Sequence, residues 1–179
     1  KYQGIPTNGY TNMFTSMLDG IKVHLGVSKE EWQSTSSDKI IFTGKINEYF
    51  DNQFGELPYR SLRFQHFTSP KDERFSPELG AVINECNRQP YNRTVDNSVF
   101  LNEKVKETIF TRDFPEEHDC TNEPIYPKNF GSAQVTYQKY KQAAKSATNT
   151  LFLGRLATYK YLDMWMAIAQ VFKKLNYEV

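Results

Sequence analysis

The spacing of apolar and polar positions changes several times along the chain, and each change marks a candidate element. Met13, Phe14, Met17 and Leu18 recur at helical spacing, so Tyr10 to Leu18 is expected to form a helix capped by Thr11 and ended by Gly20. Ile21, Val23 and Leu25 then alternate with Lys22 and His24, the period of a short strand with one buried face. Residues 27–39 are polar, carry a Ser/Thr cluster and predict a loop or a short surface helix. A β-branched and aromatic run over Lys39 to Thr43 stops at Gly44, a residue type that lets backbone come close to another element or a ligand.

Further along, the Tyr49-Phe50 pair and FGELPY over 54–59 mark a compact turn. Leu62, Phe64 and His66 alternate with Arg63 and Gln65, predicting a strand over Ser61 to Phe67, and two prolines with mixed charge over 68–77 predict a surface connection. Short runs at 81–83, 93–95 and 108–110, separated by turn-forming stretches, complete an expected antiparallel sheet. Residues 116–129 form an acidic, proline-punctuated loop in this reading. Ala133 to Lys145 is expected to be a surface helix, apolar at Val135 and from Tyr137 to Tyr140, wet at Lys139, Lys141 and Lys145. Thr150 to Leu153 is strand-like and leads into Gly154-Arg155. A last helix from about Asp163 places Met164, Ala167, Ile168, Val171, Phe172 and Leu175 on one face. No internal repeat or long flexible linker is visible.

A length of 179 residues suits one substantial core or two small ones. With 22 basic and 21 acidic residues the net charge is +1, which gives no electrostatic case for nucleic acid or for an anionic membrane. No apolar run approaches the roughly 20 residues that span a bilayer, and the first residues lack the apolar core of a signal peptide. A cytoplasmic protein without membrane insertion is therefore expected, and the sequon Asn92-Arg93-Thr94 reads as an accident. Cys86 and Cys120 are too few for a disulfide framework or a zinc cluster, and His24, His66 and His118 stand far apart, so no metal site is expected. Aromatic residues reach 15%, with 13 Phe and 11 Tyr. Such a content predicts an aromatic core, while tyrosine hydroxyls also suit a polar ligand cleft.

Four groupings carry candidate chemistry. Tyr2-Gln3-Gly4-Ile5-Pro6 followed by Gly9-Tyr10-Thr11 is a glycine-shaped loop entering a helix, whose amides suit an anion or an ordinary turn and cap. Arg93 stands at a strand, where a rigid guanidinium can neutralise a diphosphate or simply face solvent. Tyr126 is held between Pro124 and Pro127, which presents its hydroxyl at little ordering cost or packs a loop. Arg155, Tyr159, Tyr161 and Asp163 converge on a helix start, an arrangement equally suited to anion binding and to a packed tyrosine with an aspartate cap. There is no GxGxxG after a strand, no P-loop, no HExxH and no nucleophile elbow.

Taken in order, YQGIPTNGYT over 2–11, IIFTGKINEYFDNQFGELPYRSLRF over 40–64, AVIN over 81–84, PYNR over 90–93, EPIYP over 123–127 and GRLATYKYLDM over 154–164 resemble the UDP-galactopyranose mutases, from the middle of the polypeptide to its C-terminus. The resemblance covers nearly the whole chain. It implies an isomerase that interconverts UDP-galactopyranose and UDP-galactofuranose, with reduced FAD supplying the covalent chemistry. It assigns Arg93 as the catalytic charge stabiliser and diphosphate ligand, and Tyr2, Tyr126 and Tyr161 as further substrate contacts. Arg155, Asp163 and Met164 are implied on the flavin side, and a homodimer is a possible partner arrangement. The chain departs from the family pattern at Leu153, where a glycine is usual, at Leu162, at Trp165-Met166 and over TVDNSVF at 94–100.

The implied fold is α+β. Residues 57–129 are expected to form an antiparallel substrate-binding sheet domain with flanking helices, while 1–56 and 130–179 supply junction and returning C-terminal elements of a discontinuous Rossmann-like FAD-binding domain. The family's dinucleotide fingerprint precedes its YQGIP-like region. A C-terminal fragment in polysaccharide precursor synthesis is thus expected, inactive and without bound FAD when isolated. Two alternatives stay open: a non-catalytic sugar-nucleotide-binding module, and a structural assembly domain.

Overall fold

The computed structural model describes residues 4–70, 80–86, 88–100, 107–119 and 121–176. They fall into two compact units, one drawn from 1–36 and 64–114, the other from 37–63 and 115–179. The architecture is α+β, with antiparallel strands and helices as expected.

In the first unit, the cap of α1 (Gly9–Met17) stands three residues earlier than expected: Asn8, not Thr11, is the N-cap, and Gly9 enters at φ 76°. Gly20, at φ 73°, follows the helix as expected of a terminating glycine. The alternating Ile21, Val23 and Leu25 do not form a strand. All three are exposed, Leu25 at 89%, because alternation makes a strand only where another strand pairs with it. The polar stretch beyond it folds as α2 (Lys29–Ser34), opened by a capping box in which the Ser28 hydroxyl accepts from Glu31 N–H and the Glu31 carboxylate accepts from Ser28 N–H.

The sheet of this unit runs β3-β4-β5-β2. Its strands are β2 (Tyr59–Pro70), β3 (Val82–Asn84), β4 (Arg93–Asp96) and β5 (Glu107–Glu117), of which the Phe64–Pro70 and Glu107–Phe114 parts belong here. β2 therefore extends three residues into the expected surface connection, and the remainder of that connection lies outside the described residues. Antiparallel register sets Asn84 opposite Arg93 and Arg93 opposite Asp113. One face buries Thr94, Asp96, Thr108 and Phe110, with Phe67 stacked on Phe110 at 5.3 Å. Burying the Asp96 carboxylate is tolerable because it accepts from Ser98 N–H (3.0 Å), Ser98 Oγ (2.7 Å) and Thr108 Oγ1 (2.6 Å).

The second unit holds a parallel pair, β1 (Ile40–Phe42) with β7 (Thr150–Phe152), both where the β-branched runs placed them. Between them in sequence come α3 (Ile46–Tyr49), the start of β2 and β6 (Tyr126–Pro127). They are followed by α4 (Ser132–Ala143) and a 3-10 turn over Ala144–Ser146. Ala133, Tyr137 and Tyr140 supply the buried side of α4 at helical spacing. Val135 points outward at 63% exposure, against expectation. These residues close a core with Ile46, Leu57, Tyr59 and Tyr159. The buried Tyr140 hydroxyl donates to Gly55 O (2.6 Å) and accepts from Phe54 N–H (3.1 Å), pinning the 54–59 turn. After β7 come α5 (Gly154–Ala157) and α6 (Met164–Leu175). No residue of α6 is buried, so its predicted apolar face lies at the surface of this unit.

Candidate functional site

The expected loop over 116–129 is more ordered than its composition suggests. Its first residues end β5, and Tyr126–Pro127 forms β6 against β2, with Arg60 opposite Tyr126 and Tyr59 opposite Pro127. Ile125 N–H donates to Arg60 O (2.9 Å) and Lys128 N–H to Pro58 O (3.0 Å), so both flanks of Tyr126 are fixed by main chain. Two prolines remove donors from this segment without breaking it, because it forms an edge strand.

Tyr161 reaches the same place by another route. The chain leaves α5 through Tyr159, which adopts φ 47° in the left-handed region, a conformation costing a non-glycine residue about 1 kcal/mol. Burial and hydrogen bonds hold it there. Tyr159 is fully buried in the core, its hydroxyl donates to Pro58 O (2.7 Å), and its carbonyl accepts from Asn129 Nδ2 (3.0 Å). Burial raises its phenol to about 12. Tyr159 is thus a positioning residue of the turn, and Tyr161 follows it onto the surface at 60% exposure.

The rings of Tyr126 and Tyr161 lie 5.8 Å apart and within 10° of parallel. Arg155 faces both, its Cζ 5.3 Å from the Tyr126 centroid and 4.7 Å from the Tyr161 centroid, within cation–π range. Its Nε and Nη2 donate to Leu162 O (3.2 and 2.6 Å), and its Nη1 donates to Ile125 O (3.0 Å). Three of the five guanidinium N–H groups are thereby taken up within the protein. The departure at Leu162 leaves this arrangement intact, because the acceptor is a main-chain carbonyl. Leu153 is buried at 1% exposure just before Gly154, where it packs as a core side chain.

Asp163 is the N-cap residue of α6 by position, yet its side chain makes no capping hydrogen bond. The aspartate-cap reading is therefore corrected: the carbonyl of Asp163 accepts from Ala167 N–H (3.0 Å), and its carboxylate caps nothing. Met164 is exposed at 63% beside it. Gln170, on the next turns of α6, accepts from Gly154 N–H through Oε1 (2.7 Å) and ties the helix to the start of α5.

Arg93 belongs to the first unit. Its Nε donates to Asn84 Oδ1 (3.2 Å) and its Nη1 stands 3.9 Å from Asp113 Oδ2, so the side chain is oriented along the sheet while 47% of it stays exposed. Burial pushes the Asp113 carboxyl up, and the Arg93 guanidinium opposes that shift. Tyr2 lies outside the described residues. Sequence reasoning missed Asn84, Asp113, Asn129 and Gln170, whose roles depend on strand register or on contacts to main chain. Among the described residues no three His, Cys, Asp or Glu side chains gather as a metal site, and no helix is long and apolar enough to cross a membrane.

Residues 1–161 match the family model described as GLF: UDP-galactopyranose mutase. A dTDP-fucopyranose mutase of Escherichia coli is 34% identical over 99% of this chain and 51% of its own length. A probable UDP-galactopyranose mutase of Klebsiella pneumoniae is 29% identical over 97% and 45%, and the UDP-galactopyranose mutase of Mycoplasma genitalium is 31% identical over 96% and 46%. The chain spans about half the length of the curated relatives it matches. The class is that of the flavin-dependent sugar mutases, enzymes of isomerase type. Within it, the chain belongs to the UDP-galactopyranose mutase family.

Proposed function

We propose that this chain is the part of a nucleotide-sugar mutase that grips the substrate diphosphate, in an enzyme interconverting UDP-galactopyranose and UDP-galactofuranose. The observation that carries this reading is the parallel Tyr126–Tyr161 pair over Arg155, which puts two phenolic donors on one surface. Diphosphate oxygens are acceptors only, so two neighbouring O–H donors are complementary to them. Arg93 serves as the charge stabiliser of the departing diphosphate, held in orientation by Asn84 and Asp113.

The 12-residue α6 opens without a side-chain cap at Asp163, so its first turn suits the polar edge of a flavin. The Asp163-Met164 entrance and the remaining N–H groups of Arg155 would hold FAD there, beside the parallel β1/β7 pair of a Rossmann-like domain. Reduced FAD, when bound, supplies the nucleophile for ring interconversion. The protein's own residues bind the diphosphate, orient the sugar and stabilise charge.

The E. coli relative, named a dTDP-fucopyranose mutase, favours a second reading in which the sugar nucleotide is a dTDP-linked fucose. The test is an assay of the full-length polypeptide carrying this chain, with reduced FAD, on UDP-galactopyranose and dTDP-fucopyranose separately. Furanose product from the UDP sugar, lost in an Arg93→Ala variant, is expected. Product from the dTDP sugar alone moves the assignment to the second reading, and product from neither overturns both.

A further inference from the structure

We propose that Arg155 is a positioning residue that holds Tyr126 and Tyr161 in register, by binding the main chain next to each of them. The resemblance placed this arginine only on the flavin side. Its nearest partners are the carbonyl of Ile125, immediately before Tyr126, and the carbonyl of Leu162, immediately after Tyr161. One planar cation therefore binds the main chain of two segments at once, the edge strand region at β6 and the loop between α5 and α6. Its face lies within 5.3 Å of both ring centroids, so the same group fixes the backbones and faces the rings.

Lysine cannot reproduce this. A guanidinium offers donors on three nitrogens in one plane and can reach two carbonyls while stacking on aromatic rings; an ammonium is a point charge with neither plane nor fork. Arg155 is itself placed by the start of α5, where Gly154 N–H is held by Gln170. The role in ligand binding rests on the diphosphate reading above. The role in pairing the rings stands independently of it, and the two are separable by experiment.

The experiment uses the chain with ring-labelled tyrosine, its Tyr126 and Tyr161 signals assigned through Tyr126→Phe and Tyr161→Phe, and UDP as the probe. In Arg155→Lys and Arg155→Gln the two signals are expected to lose their mutual ring-current shift, while the core signals of Tyr59 and Tyr140 stay in place. The UDP dissociation constant is expected to rise about tenfold in each. Arg155→Lys added to the Tyr126→Phe/Tyr161→Phe double variant is expected to bind UDP no worse than that double variant alone, because Arg155 acts through these two hydroxyls. Unmoved Tyr126 and Tyr161 signals, or unchanged UDP affinity in a chain that binds UDP, overturn the proposal. Moved signals in a chain that never binds UDP uphold the pairing role and reject the diphosphate reading instead. Should both variants lose the core signals, the wild-type Arg155 Nε–H decides: slow exchange supports the clamp, and free exchange with water overturns it.

Discussion

The ring of Tyr126 stacks on that of Tyr161 at 5.8 Å, although one sits in a two-residue strand and the other in a loop after a left-handed turn. Ring and hydroxyl contribute separately to such a pair, and substitution can part them. Tyr126→Phe keeps the stack and removes one donor, so UDP binding is expected to weaken about tenfold, the lower range for a hydrogen bond to a charged group. Thermal stability should hardly change. Tyr126→Ala removes both and is expected to cost about 1 kcal/mol more through the lost stack. Calorimetric UDP titration with a thermal melt of each variant checks this; equal affinity in wild type and Tyr126→Phe would rule out a donor role.

Arg93 and Asp113 make a second prediction, in acid. Because burial outweighs the guanidinium, the folded Asp113 carboxyl keeps its proton above the ordinary 3.8. Its contribution to stability is then most favourable below 3.8 and declines as pH rises through the raised folded value. Removing the cation in Arg93→Ala is expected to push that value higher still and extend the declining window upward. A side-chain carboxyl NMR titration reads it directly. Asp113 titrating at or below its ordinary value in the folded wild type would refute the sign.

The strands at Ile40–Phe42, Arg93–Asp96 and Thr150–Phe152 were legible because β-branched and aromatic runs bounded by turn residues have few other uses. Ile21, Val23 and Leu25 show the converse, since alternation records only a preference and no strand pairs with them among the described residues. β6 was invisible for a simpler reason: two residues, the second of them a proline, carry no period, and only its pairing with β2 defines it. Of the site, the tyrosines and arginines could be named from their chemistry and from the family resemblance. The clamp could not, because the acceptors of Arg155 are carbonyls that every residue possesses. Asp113 opposite Arg93 is likewise a fact of register, set by two strands whose alignment no local pattern specifies.

Buried tyrosine predicts an alkaline response. The Tyr159 phenol is raised from 10.0 to about 12 by burial, and that of Tyr59 is raised further by burial and by the neighbouring Tyr159, Glu48 and Tyr137. Between about 10 and 12 the unfolded chain releases the Tyr159 proton that the folded chain retains. Stability is therefore expected to fall as pH rises through this window. Tyr159→Phe should lose about 1 kcal/mol at neutral pH with the bond to Pro58, yet show a shallower fall above pH 10. Denaturant unfolding at several alkaline pH values, with tyrosinate absorbance, would expose an unchanged slope and so defeat the assignment.

Gly154 is the hinge on which Arg155 turns toward the tyrosines, and two substitutions separate its conformation from its hydrogen bond. The residue sits at φ 82°, where an added Cβ would meet the Thr43 side chain at ordinary distances, Cβ at 3.8 Å and Cγ2 at 4.0 Å. Space is therefore sufficient, and Gly154→Ala should be destabilising solely through the left-handed backbone, by about 1–2 kcal/mol. Gln170→Ala leaves the dihedral alone and deprives Gly154 N–H of its acceptor, whose bond is 2.7 Å long. A partly buried donor left without its acceptor costs about 1–3 kcal/mol. Because both changes loosen one anchor, their combination is expected to cost less than the sum. Amide exchange at Gly154 distinguishes the two causes: Gln170→Ala should accelerate it many-fold, whereas Gly154→Ala shifts global stability. Slow exchange retained in Gln170→Ala would mean that α6 does not secure the segment bearing Arg155.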